Sequence, residues 1–304
     1  MKISFILGAG ASCDFGLPTG AELKEDILSH IGNRGNAVTE FYQTLSQAGN
    51  SREDVDMFAD YLEHAQRDTI DQFIAAHKRQ PKLQRIGRQA IALAIARRET
   101  KAKLFRNDYH WYRRLLDFLR NHERLVNRET FTFFTFNYDR SLEHYLRKSL
   151  ISGGNNLTEE QVTAFFEDNF IHIHGVAGHL PWQGTDRETV HREYGGHISP
   201  DQLSRIANQI ITPEQEVTLG GAHLERLIKA DLVVIMGFGF APSNKSRIHF
   251  DELVNNNVRI KASTHNRDDL YEALKGLPSV EPDRLDCNNF IAKFIREFDE
   301  KGFG

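Results

Sequence analysis

Apolar positions in this chain fall into short continuous runs and into longer stretches with a three-or-four-residue spacing. The alternation between the two predicts its elements. Residues 2–7, KISFIL, read as a short strand buried on both faces, ending in the loop Gly8-Ala9-Gly10-Ala11-Ser12. A helix is expected from Thr19 to His30, with Thr19 after Pro18 as N-cap and Glu22 completing a capping box. From 54 to 120 the period is helical. Val55, Phe58, Leu62, Ile70, Phe73 and His77 share a face, Leu83, Ile86, Ala90, Ile91 and Ala94 continue it, and Trp111, Leu115, Leu116 and Leu119 mark a further helix. The run Phe-Thr-Phe-Phe-Thr-Phe at 131–136 predicts a strand, and Asp139 is placed to cap a helix over 140–149. A loop at Gly153-Gly154-Asn155-Asn156, a helix from Thr158 to Asp168 and a strand from Phe170 to Ile173, ending at His174-Gly175, follow. Residues 176–219 carry little periodicity and read as loops and small elements. Beyond them the pattern predicts a helix over Ala222–Lys229, a strand over Asp231–Met236 and a glycine loop Gly237-Phe238-Gly239-Phe240. It closes with a helix capped by Ser243 and reaching Asn255, a strand over Val258–Ala262, and helices over Asp268–Leu274 and Asn288–Phe298.

Strands apolar on both faces, alternating with helices, are the signature of a parallel sheet covered on both sides. The fold class expected is therefore α/β, a Rossmann-like parallel sheet with helices on both faces plus a helical insertion. Residues 1–50 and 126–304 would form the sheet domain, and 51–125 a helical subdomain. In such sheets ligands bind outside the carboxyl ends of the strands. Four strands here end in glycine or polar residues: Gly8 and Gly10, Asn137 and Asp139, His174 and Gly175, Gly237 and Gly239. Their convergence on one crevice is the main functional signal in the chain.

Composition narrows the classes. The chain has 304 residues, 40% of them hydrophobic and 26% charged, an ordinary globular balance that excludes wholesale disorder. Two cysteines, Cys13 and Cys287, exclude a disulfide framework and any zinc site built from four cysteines. No run approaches the roughly 18–20 apolar residues of a membrane span. The N-terminal apolar run is too short for a signal peptide, so a cytoplasmic protein without membrane contact is expected. The net charge of −4 hides an uneven distribution. Residues 78–114 hold 12 basic residues and two acidic ones (Glu99 and Asp108), a segment of +10 against −14 for the rest. It reads either as a solvated helix face or as a surface for nucleic acid, an acidic partner or a neighbouring subunit.

The candidate chemistry sits on the strand ends. Gly8-x-Gly10 after a strand lets backbone amides approach a pyrophosphate. The dinucleotide fingerprint G-x-G-x-x-G is not completed, because Cys13 holds its last position. No acidic residue follows at the end of a second strand either, which disfavours a hydride-transferring dehydrogenase. Asn137 can orient water or a hydroxyl without titrating, and His174, with an ordinary pKa of about 6.5, could accept a proton near neutrality. The bland readings are a turn for Asn137, an N-cap for Asp139 and a core histidine for His174. His172, two residues earlier, is expected to face away from the site. A His-x-His metal site is set aside because no third ligand has suitable spacing.

In this order the motifs resemble the sirtuin family: GAGAS at 8–12, Thr135-Phe136-Asn137-Tyr138-Asp139 after a strand, the pair His174-Gly175, then Gly237-Phe238-Gly239. The resemblance spans residue 3 to about 265, leaving out 50–125 and 176–219. It implies NAD binding and cleavage of the nicotinamide–ribose bond; with two cysteines in the chain, no metal is expected. By position, Gly8, Ala9, Gly10 and Ser12 would contact the pyrophosphate and ribose. Asn137 and Asp139 would lie near the nicotinamide ribose, His174 beside Gly175 would be the general base, and Gly237, Phe238 and Gly239 would line the adenosine side. Ser263, Thr264 and His265 are further adenosine-side candidates.

A sirtuin deacylase carries a four-cysteine zinc module between the His-Gly pair and the later glycine loop, and this chain has no cysteine between 14 and 286. The variants Gly16-Leu17-Pro18-Thr19, FTFNYD and IHIHG look like bacterial sirtuin-like NAD-degrading effectors of antiphage defence. That branch implies an NAD+ glycohydrolase dependent on Asn137 and His174, causing abortive infection by NAD depletion. It also implies control through a homo-oligomer or a separate regulatory or sensor protein, such as a translocase-type ATPase or a nucleic-acid-guided sensor. The alternatives are a non-catalytic module that binds NAD or ADP-ribose and gates a partner, and a protein deacylase.

Overall fold

The computed structural model describes residues 1–31, 39–106, 108–127, 129–154, 156–167, 169–184, 189–212, 215 and 219–300. Asn155 of the predicted loop and Asp168 at the predicted helix end lie outside the described residues. Six strands form one sheet: β1 (Ile3–Leu7), β2 (Phe131–Thr135), β3 (Phe170–His172), β4 (Leu232–Met236), β5 (Ile260–Ser263) and β6 (Val280–Asp283). Their order is β3-β2-β1-β4-β5-β6, and every pairing is parallel. This is the doubly wound Rossmann-like arrangement, in which chain order reverses direction between β1 and β4 and opens a crevice above that junction.

The helices are α1 (Gly20–Ile31), α2 (Glu40–Gln47), α3 (Arg52–His64), α4 (Ile70–Ala76), α5 (Pro81–Arg98), α6 (Lys101–Leu104), α7 (Trp111–Asn121), α8 (Ser141–Ser152), α9 (Glu159–Glu167), α10 (Pro200–Ala207), α11 (Gly221–Ile228), α12 (Pro242–Arg247), α13 (Phe250–Asn255), α14 (Asp268–Lys275) and α15 (Cys287–Glu300). None of the described helices is long and apolar enough to cross a membrane. The central strands need two apolar faces because helices cover both. Ile3, Phe5 and Leu7 of β1 pack with α7, α8, α9 and α15 on one side. Ile6 packs with α11, α13 and α14 on the other. A separate apolar cluster joins α1 to α5 with α10 and includes Tyr138 and Ala177 from the strand-end loops.

Four differences from the sequence reading have local causes. The predicted helix over 243–255 is broken by His249, whose φ of 51° cannot continue a helix, giving α12 and α13. Its cap is Ala241 with Pro242 in the first turn, rather than Ser243. Residues 176–219 contain α10, begun by a full capping box of Ser199 and Gln202 with Pro200 at the first position. Finally, β6 (VEPD) is absent from the sequence reading because its proline and acidic residues hide it. A proline is tolerated there because β6 is an edge strand. The Thr19–Glu22 capping box is present as predicted, Glu22 accepting from the Thr19 amide at 2.8 Å and Thr19 Oγ1 accepting from the Glu22 amide at 3.3 Å.

Candidate functional site

The loops after β1 and β4 lie backbone against backbone. The Gly8 amide donates to the Met236 carbonyl and the Gly10 amide to the Gly237 carbonyl, both at 3.0 Å, while the Ala11 amide donates to the Gly8 carbonyl at 2.9 Å. A Cβ on Gly8 would sit 2.4 Å from the Gly237 oxygen, and one on Gly237 (φ 60°) 2.1 Å from the Ala11 nitrogen. The glycines are therefore required for close approach of two loops. This corrects the expectation that these amides are free to cradle a pyrophosphate, since those of Gly8, Gly10 and Ala11 are already bonded within the fold. Helix α7 supports the same loop from below, Trp111 Nε1 donating to the Ala11 carbonyl at 2.8 Å.

Above this floor opens a cavity of about 920 Å3, within the size range of small-molecule and cofactor sites. Of the residues singled out in the sequence, Gly8, Ala9, Gly10, Ser12, Asn137, Asp139, His174, Gly237, Phe238, Gly239, Ser263, Thr264 and His265 line it. Gly175 does not. Its φ is 72°, and a Cβ there would lie 1.7 Å from the Gln209 oxygen, so it is glycine for backbone packing. Sequence reasoning missed one whole wall: Thr69, Asp71 and Gln72 around the start of α4, and Ile95 of α5. No motif marks them. It also missed Asp286 and Asn288, which follow the strand it did not find. Asp14, Asp71, Asp139 and Asp286 line the cavity with Arg267, the one guanidinium there among the described residues, itself held by Asp269 at 2.9 Å.

Asn137 is held by three of its four polar groups. Its amide donates to Thr135 Oγ1 at 3.0 Å, its Nδ2 donates to Ser12 Oγ at 3.0 Å, and its carbonyl meets His172 Nδ1 at 3.0 Å. The fourth, Oδ1, is buried and has no hydrogen-bond partner. His174 packs edge-on against Phe136 and tilted against Tyr138, the two neighbours of Asn137, and its Nε2 is likewise buried and unpartnered. Tyr138 in turn donates to Asp71 Oδ1 at 2.5 Å, linking this segment to α4.

Burial, aided by the nearby Arg247 charge and opposed by Asn244, pushes His174 down to about 3. It is neutral, with an open acceptor or donor nitrogen, rather than the unperturbed histidine that the sequence implied. Burial pushes the Asp139 carboxyl up, opposed by bonds from Ser141 and Ser12, and its Oδ1 accepts from the Ser141 amide at 2.9 Å. The thiols of Cys13 and Cys287, both in the wall, are pushed up to about 11 and 12, chiefly by burial.

His172 and His174 bind different sets of groups. Pleat alternation alone would put residues two apart on the same face. They separate because β3 ends at His172 and the chain turns before His174. Much of the 78–114 charge is also used within the chain. Lys82 pairs with Asp54, Arg97 with Glu40, Arg98 with Asp26, Arg106 with Asp108 and Arg113 with Asp117. Among the described residues, no three His, Cys, Asp or Glu side chains come together as a group that could hold a metal ion.

No family model matches the chain, and no curated protein matches it. Among solved structures, a triple mutant of a Sir2 homologue in complex with 2'-O-acetyl ADP ribose is similar at 11% identity and a TM-score of 0.42, over 99% of this chain and 92% of that one.

Proposed function

We propose that this chain binds NAD in the crevice and hydrolyses the nicotinamide–ribose bond to give nicotinamide and ADP-ribose. The observation that carries the reading is the pair of buried atoms without a partner, Asn137 Oδ1 and His174 Nε2, on two residues lining one cavity. An unpartnered buried polar atom costs about 1–3 kcal/mol, and two at the carboxyl end of one sheet are best explained by a ligand that satisfies them. The motif order of the sequence points to the same ligand class.

Cleavage of this bond leaves an oxocarbenium-like ribose and requires a fixed, dry pocket more than a strong nucleophile. Asn137 Oδ1, an acceptor only, would hold a ribose hydroxyl or the attacking water by its O–H. Neutral His174 would accept a hydrogen bond from that group as the bond breaks, the proton passing on to solvent. Ser12 keeps the Asn137 amide turned so that Oδ1 is left without a protein partner. The carboxylate-rich wall suits a cationic nicotinamide ring. Gly8, Ala9, Gly10 and Ser12 would lie along the pyrophosphate and ribose, and Gly237, Phe238, Gly239 and Thr264 on the adenosine side.

The test is to incubate the purified chain with NAD, with and without an acylated peptide, and to follow nicotinamide. Peptide-independent release that is lost in Asn137→Ala and in His174→Ala supports the hydrolase. Tight NAD binding without turnover, under activating conditions too, would make the chain a binding module, and release only with peptide would make it a deacylase. The biological setting we propose is NAD depletion in antiphage defence, controlled by self-assembly or a sensor protein. Infected cells carrying the chain should then lose NAD, and cells carrying Asn137→Ala should not.

A further inference from the structure

Behind the crevice lies a second polar cluster that the hydrolase reading does not use. His172, the last residue of β3, does not line the cavity. Its Nδ1 lies 3.0 Å from the Asn137 carbonyl oxygen, and its Nε2 lies 3.1 and 3.3 Å from the two oxygens of Glu143 on α8. A carbonyl oxygen only accepts, so Nδ1 carries a proton; with Glu143 ionised, Nε2 donates as well and the ring is an imidazolium.

The surroundings favour that state. The Glu143 carboxylate, the Asn137 carbonyl and the more distant Asp139 hold His172 above its ordinary value against a large burial cost. His179, from the segment after β3, is driven down to about 4 by burial, with the His172, His191 and Arg140 charges adding to that and Glu143 opposing it. Gln183 faces the same group, its Nε2 donating to Glu143 Oε1 at 3.1 Å, and His191 binds the Gln183 carbonyl at 2.5 Å. His179 thus stays neutral beside His172.

We propose that His172, as an imidazolium clamped between Glu143 and the Asn137 carbonyl, is a positioning residue for Asn137, so that protonation outside the crevice governs turnover inside it. This rests on the hydrolase reading of the crevice. Loss of the proton leaves one acceptor facing another. The stronger claim of the carboxylate on the remaining N–H releases the Asn137 carbonyl, and the backbone that aims Oδ1 loosens. The sign follows from the direction of the shift: the clamp is intact below the His172 value, which lies above 6.5, and is lost as the pH rises through it. The rate of nicotinamide release should therefore have an alkaline limb. His174 cannot supply that limb, because it is already neutral throughout that range.

The test compares pH–rate profiles of the full chain with His172→Gln and Glu143→Gln. His172→Gln should lower kcat by about 10–100-fold, the scale of a misplacement of roughly 1 Å, with KM for NAD changed far less and the alkaline limb absent. Glu143→Gln keeps hydrogen bonding but removes the charge, and should move the limb down by about 1–3 pH units. A limb unmoved in both variants overturns the proposal. A second measurement is independent of turnover and of how the variants fold. In wild-type chain with labelled histidines, the His172 ring should be protonated at neutral pH, and the Asn137 side-chain amide signals should shift with the same midpoint. A neutral His172 ring, or Asn137 signals indifferent to it, overturns the proposal. Absence of nicotinamide release by wild type at every pH, under activating conditions too, would instead defeat the hydrolase reading and leave this measurement standing.

Discussion

At the scale of single residues, the informative atoms are those without partners. A core histidine contributes stability through its bonds, whereas His174 keeps Nε2 buried and unbonded. His174→Leu removes that atom and keeps the bulk. We expect activity to be lost, with an unfolding temperature unchanged or higher by about 2–4 °C, as relief of one unsatisfied group implies. A fall of several degrees in a thermal melt would return His174 to the ordinary core. Because His174 is neutral down to about 3, kcat/KM should also show no acid limb near pH 6.5. Asn137, His174 and the glycines were legible in the sequence because short motifs end apolar strands. His172 was legible only as a histidine. Its role depends on Glu143, which lies 29 residues away in the chain on a helix that no pattern ties to β3.

At the scale of elements, the buried charges show what joins the parts. Glu99 follows the last residue of α5, Arg140 precedes α8, and Arg192 lies in the long segment before α10. All three side chains are 0–2% exposed. Arg192 Nη2 donates to Glu99 Oε2 at 2.6 Å, and Arg140 donates to both Glu99 oxygens and to the His179, Arg192 and Glu193 carbonyls. Removing the carboxylate leaves two buried guanidinium groups facing each other. Glu99→Ala should cost about 3–5 kcal/mol in chemical denaturation, and a cost below about 1 kcal/mol, typical of an exposed pair, would show that water replaces it. The helices and most strands were readable from periodicity. The missed elements failed for identifiable reasons. In β6 a proline and acidic residues suppress the strand signal at an edge that tolerates them. In α10 the capping box Ser199–Gln202 was present but lay within a stretch rich in turn formers.

At the scale of the molecule, burial of neutral histidines sets the response to acid. His174 is held near 3, and His144 and His179 near 4, each chiefly by burial. Their folded values lie below the unfolded one, so the stability they carry is present above about pH 6.5 and drains away as the pH falls toward those values. His174 alone lowers the unfolding free energy by ~1.4 kcal/mol for each pH unit below 6.5. His172 has the opposite sign, and its contribution is fully present in that range. The unfolding temperature should therefore drop markedly between about pH 7 and pH 5, and a flat profile would mean that these rings are solvated.

The contact between Gly8 and Gly237 has a consequence for how this protein can change. Its floor is main chain against main chain, so substitution there has nothing to act on except the fit itself. The walls are side chains from the segments that follow β2 and β3, from the start of α4, and from the end of β5 and the residues after β6. In a saturation library selected only for folding, positions 8 and 237 should admit almost nothing but glycine, while Thr69, Gln72 and Asn288 accept many residues. Altered ligand preference would then arise from the walls, with the floor carried unchanged from one variant to the next.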